Sequence, residues 1–229
     1  VVRLLLGNKS LRYVMFGLSC ISVGAFGVNT FLPAFFSRNF GLDAAQAGLV
    51  FGLVSGIAAF FGTLLGGYVS EYMARRDGRW LLGIPALGTL IGVPIFLLGL
   101  SSNALFLAVP FMLLGSFSFY TAMGPAIATL HGSLDSFSRA TGSAVFLLIV
   151  HFFGQGLGPP LVGIVSDLVS SFIYGGTSFA TECAGAAGQV QGSACADASA
   201  SGLRYAIGLC ATFFLLGGLM LYLATAQAH

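Results

Sequence analysis

Residues 80–134 read WLLGIPALGTLIGVPIFLLGLSSNALFLAVPFMLLGSFSFYTAMGPAIATLHGSL, which is 55 residues without one Asp, Glu, Lys or Arg. A membrane-spanning helix needs about 20 consecutive apolar residues, so this stretch is long enough for two helices. The polar segment Ser101, Ser102 and Asn103 near its middle predicts the tight turn that joins them.

Four further runs without these charged side chains are each long enough for one membrane helix. They cover residues 13–37, 44–70, 140–166 and 205–229. We therefore predict an all-α membrane protein, a single bundle over residues 1–229. Its six transmembrane helices are expected at about 11–36, 44–72, 80–100, 104–130, 137–172 and 203–224.

The composition excludes a soluble domain. Asp, Glu, Lys and Arg make up 7% of the 229 residues, whereas soluble domains contain about 25%. The formal net charge of +2 predicts no nucleic-acid partner, and the sequence predicts neither a cofactor nor a metal site.

The basic side chains indicate the orientation in the membrane. If the first helix begins in the cytoplasm, seven of the nine basic residues lie inside, and only Arg38 and Arg204 lie outside. Short cytoplasmic loops carry an excess of Lys and Arg. We therefore expect a multi-pass protein of the cell membrane, a bacterial inner membrane, with the N-terminus of this chain in the cytoplasm.

The longest polar segment, residues 175–202, contains no Lys or Arg and predicts a flexible external loop. Cys183 and Cys195 fall within it. In an oxidising compartment they are expected to form a disulfide. The alternative is two free cysteines in a disordered loop.

Residues 62–72 and 158–168 are similar at a constant offset of 96, with five of eleven positions identical and Glu71 aligned with Asp167. Each segment ends the second helix of a group of three, on opposite faces of the membrane. Many transporter halves consist of two such inverted three-helix repeats. We predict the same organisation here.

Glycines four residues apart predict close contacts between helices, because small residues let two backbones approach. For any single pair, packing without a role in transport is the better explanation. The spacing occurs in four places: Gly48, Gly52 and Gly56; Gly62 and Gly66; Gly88 and Gly92; Gly154 and Gly158.

Five of the sixteen charged side chains lie in residues 71–79. Glu71 and Arg75 are four apart, so they share a helix face and can pair. An acid one turn before a basic cluster can hold a neighbouring helix end in one state and release it in another. We predict a cytoplasmic gate here. The alternative is that Arg75, Arg76 and Arg79 only anchor the topology.

The gate segment resembles a loop motif of the major facilitator superfamily. Gly67-x-x-x-Glu71-x-x-x-Arg75-Arg76 has the glycine, the acid four residues later and the paired basic residues of that motif. It has Glu71 where the family usually has Asp, and Ala74 where it often has Gly.

Residues 154–163 are similar to the family's Gly- and Pro-rich helix motif. Gly154, Gly158, Pro159 and Gly163 match it, and Val162 replaces one glycine. The order of these segments along the whole chain looks most like bacterial spinster-type members.

The resemblance implies the C-terminal six helices of a twelve-helix secondary transporter that works by alternating access. The implied partners are the lipid bilayer, the missing N-terminal six-helix half and a small-molecule substrate. The chain is then not an enzyme. Two alternatives are a channel or pore-forming oligomer, and a membrane-embedded enzyme with a cluster such as Ser with His.

The family's substrate cavity is lined by the first, second, fourth and fifth helices, which implies that Asn29, Tyr120, His151 and Gln155 face it. His151 is either a proton carrier or a hydrogen-bonded packing residue. Nearly uncharged aromatic walls favour an amphipathic or lipid-like solute over a sugar phosphate. Asp167 is a candidate outer gate; alternatively, it only meets water at the start of the external loop.

Overall fold

The computed structural model of the chain describes residues 7–175, 179–183 and 193–227, and within these ranges it contains helices and no β-strand. Six helices are long and apolar enough to cross a membrane, as predicted, so the chain is a multi-pass membrane protein. They are α1 (Lys9–Phe40), α2 (Ala44–Ala74), α3 (Trp80–Ser101), α4 (Leu105–Gly132), α5 (Arg139–Tyr174) and α6 (Ala194–Ala226).

The last helix begins nine residues before the predicted start, so residues 194–202 of the predicted external loop are helical. The Ser193 side chain caps this helix by accepting a hydrogen bond from the amide of Ala196. The following segment is rich in alanine, which favours helix. A short helix, Phe179–Glu182, lies earlier in the same loop. Residues 176–178 and 184–192 of the predicted loop lie outside the described residues.

A tight turn joins α1 to α2. Gly41 adopts the left-handed conformation, with φ of 67°, and its amide donates to the carbonyl of Ser37 at 2.9 Å. This conformation is strained for residues with a Cβ, so glycine suits it. Asp43 then forms a capping box with Gln46. These caps end one helix and begin the next within three residues.

Two of the helices are irregular near their middle. In α2, residues Gly52–Gly56 form a π-helical turn, a feature that is frequent at functional sites. In α4, the regular helix stops at Tyr120 and restarts at Met123. Pro125 contributes to this break because it has no N–H to donate to the carbonyl one turn earlier.

The helices pack in two groups, and α6 lies between them. In the first group α1, α5 and α6 contact one another, and in the second group α2, α3 and α4 do so. The α3–α6 contact joins the groups. The rings of Phe119 in α4 and Phe214 in α6 also stack across this junction, with centroids 3.7 Å apart.

Glycines allow the closest of these contacts. A Cβ atom built on Gly62 of α2 would lie 2.6 Å from the carbonyl oxygen of Phe117 in α4. A Cβ atom on Gly158 of α5 would lie 2.5 Å from the carbonyl oxygen of Val23 in α1. No alanine fits at either position without movement of the neighbouring backbone, so the glycine spacing predicted these contacts correctly.

The prediction of close packing is wrong for one glycine set. Gly48, Gly52 and Gly56 are exposed, and a Cβ atom on any of them would meet nothing within 4 Å. These glycines share a face of α2 that packs against no helix among the described residues.

Candidate functional site

A cavity of about 260 Å³ lies where α1, α4, α5 and α6 meet. It contains three of the four side chains that sequence reasoning assigned to a substrate cavity: Asn29, Tyr120 and His151. The other lining residues are mainly apolar, and three of them are aromatic. They are Leu18, Ile21, Ser22, Ala25, Phe26, Val28, Ser116, Phe119, Ala122, Met123 and Phe214.

Two polar side chains of the cavity wall, Asn29 and Tyr120, are held by a short series of hydrogen bonds across three helices. The hydroxyl of Ser55 in α2 donates to the side-chain oxygen of Asn29 in α1 at 3.0 Å. The Asn29 amide donates to the hydroxyl of Tyr120 in α4, also at 3.0 Å. Both Asn29 bonds fix the orientation of its amide. The Tyr120 hydroxyl only accepts in this arrangement, so its own O–H is available to a solute.

Ser55 was not identified from the sequence. It lies in the π-turn of α2 and is 8% exposed. A serine within a helix commonly bonds to the carbonyl one turn earlier, so its type and spacing gave no signal of a partner on another helix. The flanking Gly52 and Gly56 were the available signal, because they weaken regular helix geometry.

His151 lies at the edge of the cavity. Its ring meets that of Phe26 edge-on, with centroids 5.5 Å apart. Gln155 is exposed and is not among the lining residues. It lies one turn further along α5, where Gly154 and Gly158 bring this helix against α1.

The charged segment at the end of α2 contains the predicted ion pair. Arg75 Nη2 lies 3.4 Å from Glu71 Oε1, and both side chains are about three-quarters exposed, at 75% and 72%. The guanidinium of Arg76 lies 5.9 Å from the ring centroid of Tyr72. The amide of Arg79 donates to Asp77 at 3.0 Å, which shapes the turn into α3.

A cleft of about 470 Å³ adjoins this segment. Gly67, Glu71 and Arg75 line it from α2, and Gly124 and Pro125 line it from α4. A Cβ atom on Gly67 would have open space around it.

The opposite end of the bundle carries a second charged arrangement. The exposed carboxylate of Asp167 in α5 interacts electrostatically with the guanidinium of Arg38 in α1. Arg204 Nη1 of α6 donates to Asn103 at 3.5 Å, beside the α3–α4 turn. The Arg204–Asn103 hydrogen bond ties α6 to the α3–α4 turn at the end of the bundle opposite to Glu71.

Cys183 and Cys195 are joined by a disulfide, with their Cα atoms 5.4 Å apart. The bond links the segment after Phe179–Glu182 to the first turn of α6. The other two cysteines, Cys20 and Cys210, are free and buried.

The Gly- and Pro-rich motif of α5, residues 154–163, packs against α1 through only some of its residues. Gly154 and Gly158 contact α1 closely, whereas a Cβ atom on Gly163 would meet a single atom, at 3.8 Å. Pro159 is half-buried beside them.

The structure contains a contact between a serine and a histidine, the kind of pair that a membrane-embedded enzyme would need. His131 and Ser143 share a hydrogen bond of 2.7 Å that joins the end of α4 to the start of α5. In the described ranges no carboxylate bonds to His131, so the third member of a hydrolytic triad is missing there. Those ranges also contain no group of three metal-ligand side chains.

Two comparisons of sequence identify related proteins. The model of the Organic Anion Transporter Polypeptide (OATP) family matches residues 1–99. An MFS-type efflux pump of Mycolicibacterium smegmatis (strain ATCC 700084 / mc(2)155) is 34% identical over 163 residues, which is 71% of this chain and 38% of the pump.

Two solved structures of a bacterial homologue of the human lysosomal transporter Spinster share the fold. The inward-facing, occupied structure has a TM-score of 0.84 at 26% identity and covers 97% of this chain and 50% of that one. The inward-facing, unoccupied structure has a TM-score of 0.83 at 24% identity and covers 98% and 49%. All these relatives are transporters and none is an enzyme, and the chain spans half of their length or less.

Proposed function

Because the chain belongs to the major facilitator superfamily, we propose that it forms the C-terminal half of a secondary transporter that works by alternating access. Transport across a membrane is the function of its relatives. The proposal adds a substrate class, a small amphipathic or lipid-like solute. It also adds an orientation, with the start of α1 in the cytoplasm.

The observation that carries the substrate class is the composition of the cavity at α1, α4, α5 and α6. Phe26, Phe119 and Phe214 supply an apolar wall, and Tyr120 and Asn29 supply an oriented polar pair. No Asp, Glu, Lys or Arg lines this cavity. Such a surface can bind an apolar body and one polar group, whereas a sugar phosphate would need a basic partner.

The second half of the transporter is expected to cover apolar surface that this chain leaves open. Leu49, Leu53 and Leu64 of α2 are more than half exposed, and the glycine face of Gly48 and Gly52 lies on the same helix. A smooth surface of small residues allows helices to slide past one another. The match to half of a Spinster homologue supports this arrangement.

Two inverted repeats within the chain would supply the rocking geometry. Gly62 and Gly158, which are equivalent at the offset of 96, each face a carbonyl oxygen of the neighbouring helix. At the next equivalent pair the contact is reciprocal: Gly66 meets Thr121, whereas Val162 meets Gly27. At both the α2–α4 and the α1–α5 crossing a glycine thus packs against a larger residue, but the glycine lies on α2 in one case and on α1 in the other. This exchange supports the repeat.

The charged ends provide the proposed gates. At the inner end Glu71 and Arg75 border a cleft large enough for another helix end. At the outer end Asp167, the repeat equivalent of Glu71, interacts with Arg38. An acid at each end can then stabilise closure on its own side of the membrane. A role for Arg75, Arg76 and Arg79 only as topology anchors is the alternative at the inner end.

The test is transport by the full-length protein in proteoliposomes, with a fluorescent single-chain amphiphile as the solute. We expect saturable uptake and accelerated exchange when unlabelled solute is present on the far side. A channel or pore-forming oligomer would instead give electrogenic current without saturation. A sugar phosphate carried in preference to the amphiphile would overturn the substrate class and leave the carrier mechanism standing.

A further inference from the structure

A second, larger cavity lies on the outside of the bundle between α1, α5 and α6. It is a groove of about 710 Å³, a size typical of small-molecule sites. Its walls are mainly apolar, and one charged side chain, Arg12, stands at one end. The other lining residues are Tyr13, Met15, Phe16, Ser19, Cys20, Val23, Ile149, Phe153, Leu157, Phe213 and Met220.

The groove faces away from the cavity that contains Asn29 and His151. On a helix, residues two apart point about 200° apart around the axis. Phe153 of the groove is two residues from His151, and Phe16 of the groove is two residues from Leu18 of the cavity. A partner that covers the substrate cavity therefore approaches the opposite side of α1 and α5. The groove is left to face the lipid.

The dimensions of the groove match one leaflet of a bilayer. Along α1 it runs from Arg12 to Val23, a length of about 16 Å at the helical rise. Half of the hydrocarbon core of a bilayer is about 15 Å thick. Arg12 lies three residues after the start of α1 at Lys9, so it stands at the level of the lipid headgroups.

At the polar end of the groove, two side chains form no hydrogen bond with other described residues. The Arg12 guanidinium and the Tyr13 hydroxyl have no hydrogen-bond partner among the described residues, and both line the groove. Arginine binds phosphate through paired N–H donors. The one further hydroxyl among the lining residues, that of Ser19, has a partner: it donates to the carbonyl of Met15 at 2.8 Å. The unpaired donors are thus confined to the headgroup level.

We propose that this groove binds one anionic phospholipid of the leaflet in which α1 begins. The phosphate group lies against Arg12 and Tyr13, and an acyl chain lies between Phe16, Phe153 and Met220. The site is separate from the transport cavity and does not depend on the identity of the solute. The lipid fills the space between α1 and α5 at the end where the glycine contacts of these helices do not reach.

Lipid binding to the purified full-length protein tests the proposal, with the bound species counted by native mass spectrometry. The probes are phosphatidylglycerol and phosphatidylcholine with identical acyl chains. We expect the first bound lipid to be phosphatidylglycerol, and Arg12→Gln to weaken it about fivefold, the effect of one basic residue near an anionic surface. Binding of phosphatidylcholine should not change.

Two further variants separate the groove from general charge effects. Arg76→Gln removes the same charge on the same side of the membrane and does not line the groove, so it should leave binding unchanged. Met220→Trp fills the groove without a charge change and should weaken both lipids. Equal weakening by Arg76→Gln and Arg12→Gln would overturn the site, as would a full-length protein that binds neither lipid.

Discussion

The side-chain amide of Asn29 donates a 3.0 Å hydrogen bond to the hydroxyl of Tyr120, 91 residues further along the chain. The two residues belong to α1 and α4, the first helices of the two proposed three-helix repeats. The bond therefore crosses the wall of the cavity between the proposed repeats. Asn29 also accepts a hydrogen bond from Ser55. A change at Tyr120 therefore alters one end of a series of hydrogen bonds that connects α1, α2 and α4.

Replacing Tyr120 with phenylalanine tests this arrangement. The variant keeps the ring in the cavity wall and removes the hydroxyl, so the Asn29 amide loses its acceptor and the solute loses a donor. A typical hydrogen bond contributes about 1 kcal/mol, so we expect kcat/KM for the amphiphile to fall about fivefold in proteoliposomes. The amount of protein in the membrane should not change.

The matched control is Tyr222→Phe, because Tyr222 is exposed on α6 and lies outside the cavity. Transport by this variant should equal that of the unaltered protein. Asn29→Ala combined with Tyr120→Phe should cost less than the sum of the two separate losses, since both changes remove the same bond. Full additivity would argue against a shared role in transport.

Variants of the Glu71–Arg75 pair can distinguish a role in gating from a role in stability. Both side chains are about three-quarters exposed, and exposed ion pairs contribute at most about 1 kcal/mol. Glu71→Gln should therefore leave the unfolding midpoint in detergent nearly unchanged, while the transport rate at saturating solute falls at least fivefold. Asp77→Asn makes the same charge change in the turn that follows α2 and serves as the control. Normal turnover by Glu71→Gln and by Arg75→Gln would leave only the anchor role.

The six spans could be predicted from the sequence because charge is costly in lipid. Each of the five stretches without Asp, Glu, Lys or Arg contains one helix of membrane length, except residues 80–134, which contain two. The start of α6 could not be predicted in this way. Residues 194–202 include the charged Asp197, so the run without charged side chains begins only at residue 205, whereas the Ser193 cap starts the helix at Ala194.

The cavity residues, too, could be predicted from the sequence only in part. Asn29, Tyr120 and His151 were detectable as polar residues within apolar spans. Ser55 was not, because its inward position arises from the π-turn of α2. Gln155 shares a helix face with His151 but lies outside the cavity. The height at which α5 crosses α1 is set by long-range packing, which helical periodicity does not report.

The disulfide predicts a pattern of cysteine labelling. Without reductant, a membrane-impermeant maleimide should modify none of the four cysteines of this chain in intact cells, since Cys183 and Cys195 are bonded and Cys20 and Cys210 are buried. After mild reduction from the outside, two of these four cysteines should react, and the double variant Cys183→Ser with Cys195→Ser should abolish that gain in labelling. Labelling only after the cells are opened would place this loop on the cytoplasmic side and reverse the proposed orientation.

The two equivalent glycines predict matched losses of stability. In Gly158→Ala the new methyl group would lie 2.5 Å from the Val23 carbonyl oxygen, and in Gly62→Ala it would lie 2.6 Å from that of Phe117. Overpacking of this kind costs about 1–3 kcal/mol. Each variant should therefore lower the free energy of unfolding in an SDS titration by a similar amount.

Gly156→Ala is the control on the same helix, because a Cβ atom there meets nothing within 4 Å. Alanine is favoured over glycine in a helix, so this variant should be as stable as the unaltered protein or slightly more stable. A loss for Gly158→Ala without one for Gly62→Ala would show that the two crossings are not energetically equivalent and would count against the inverted repeat.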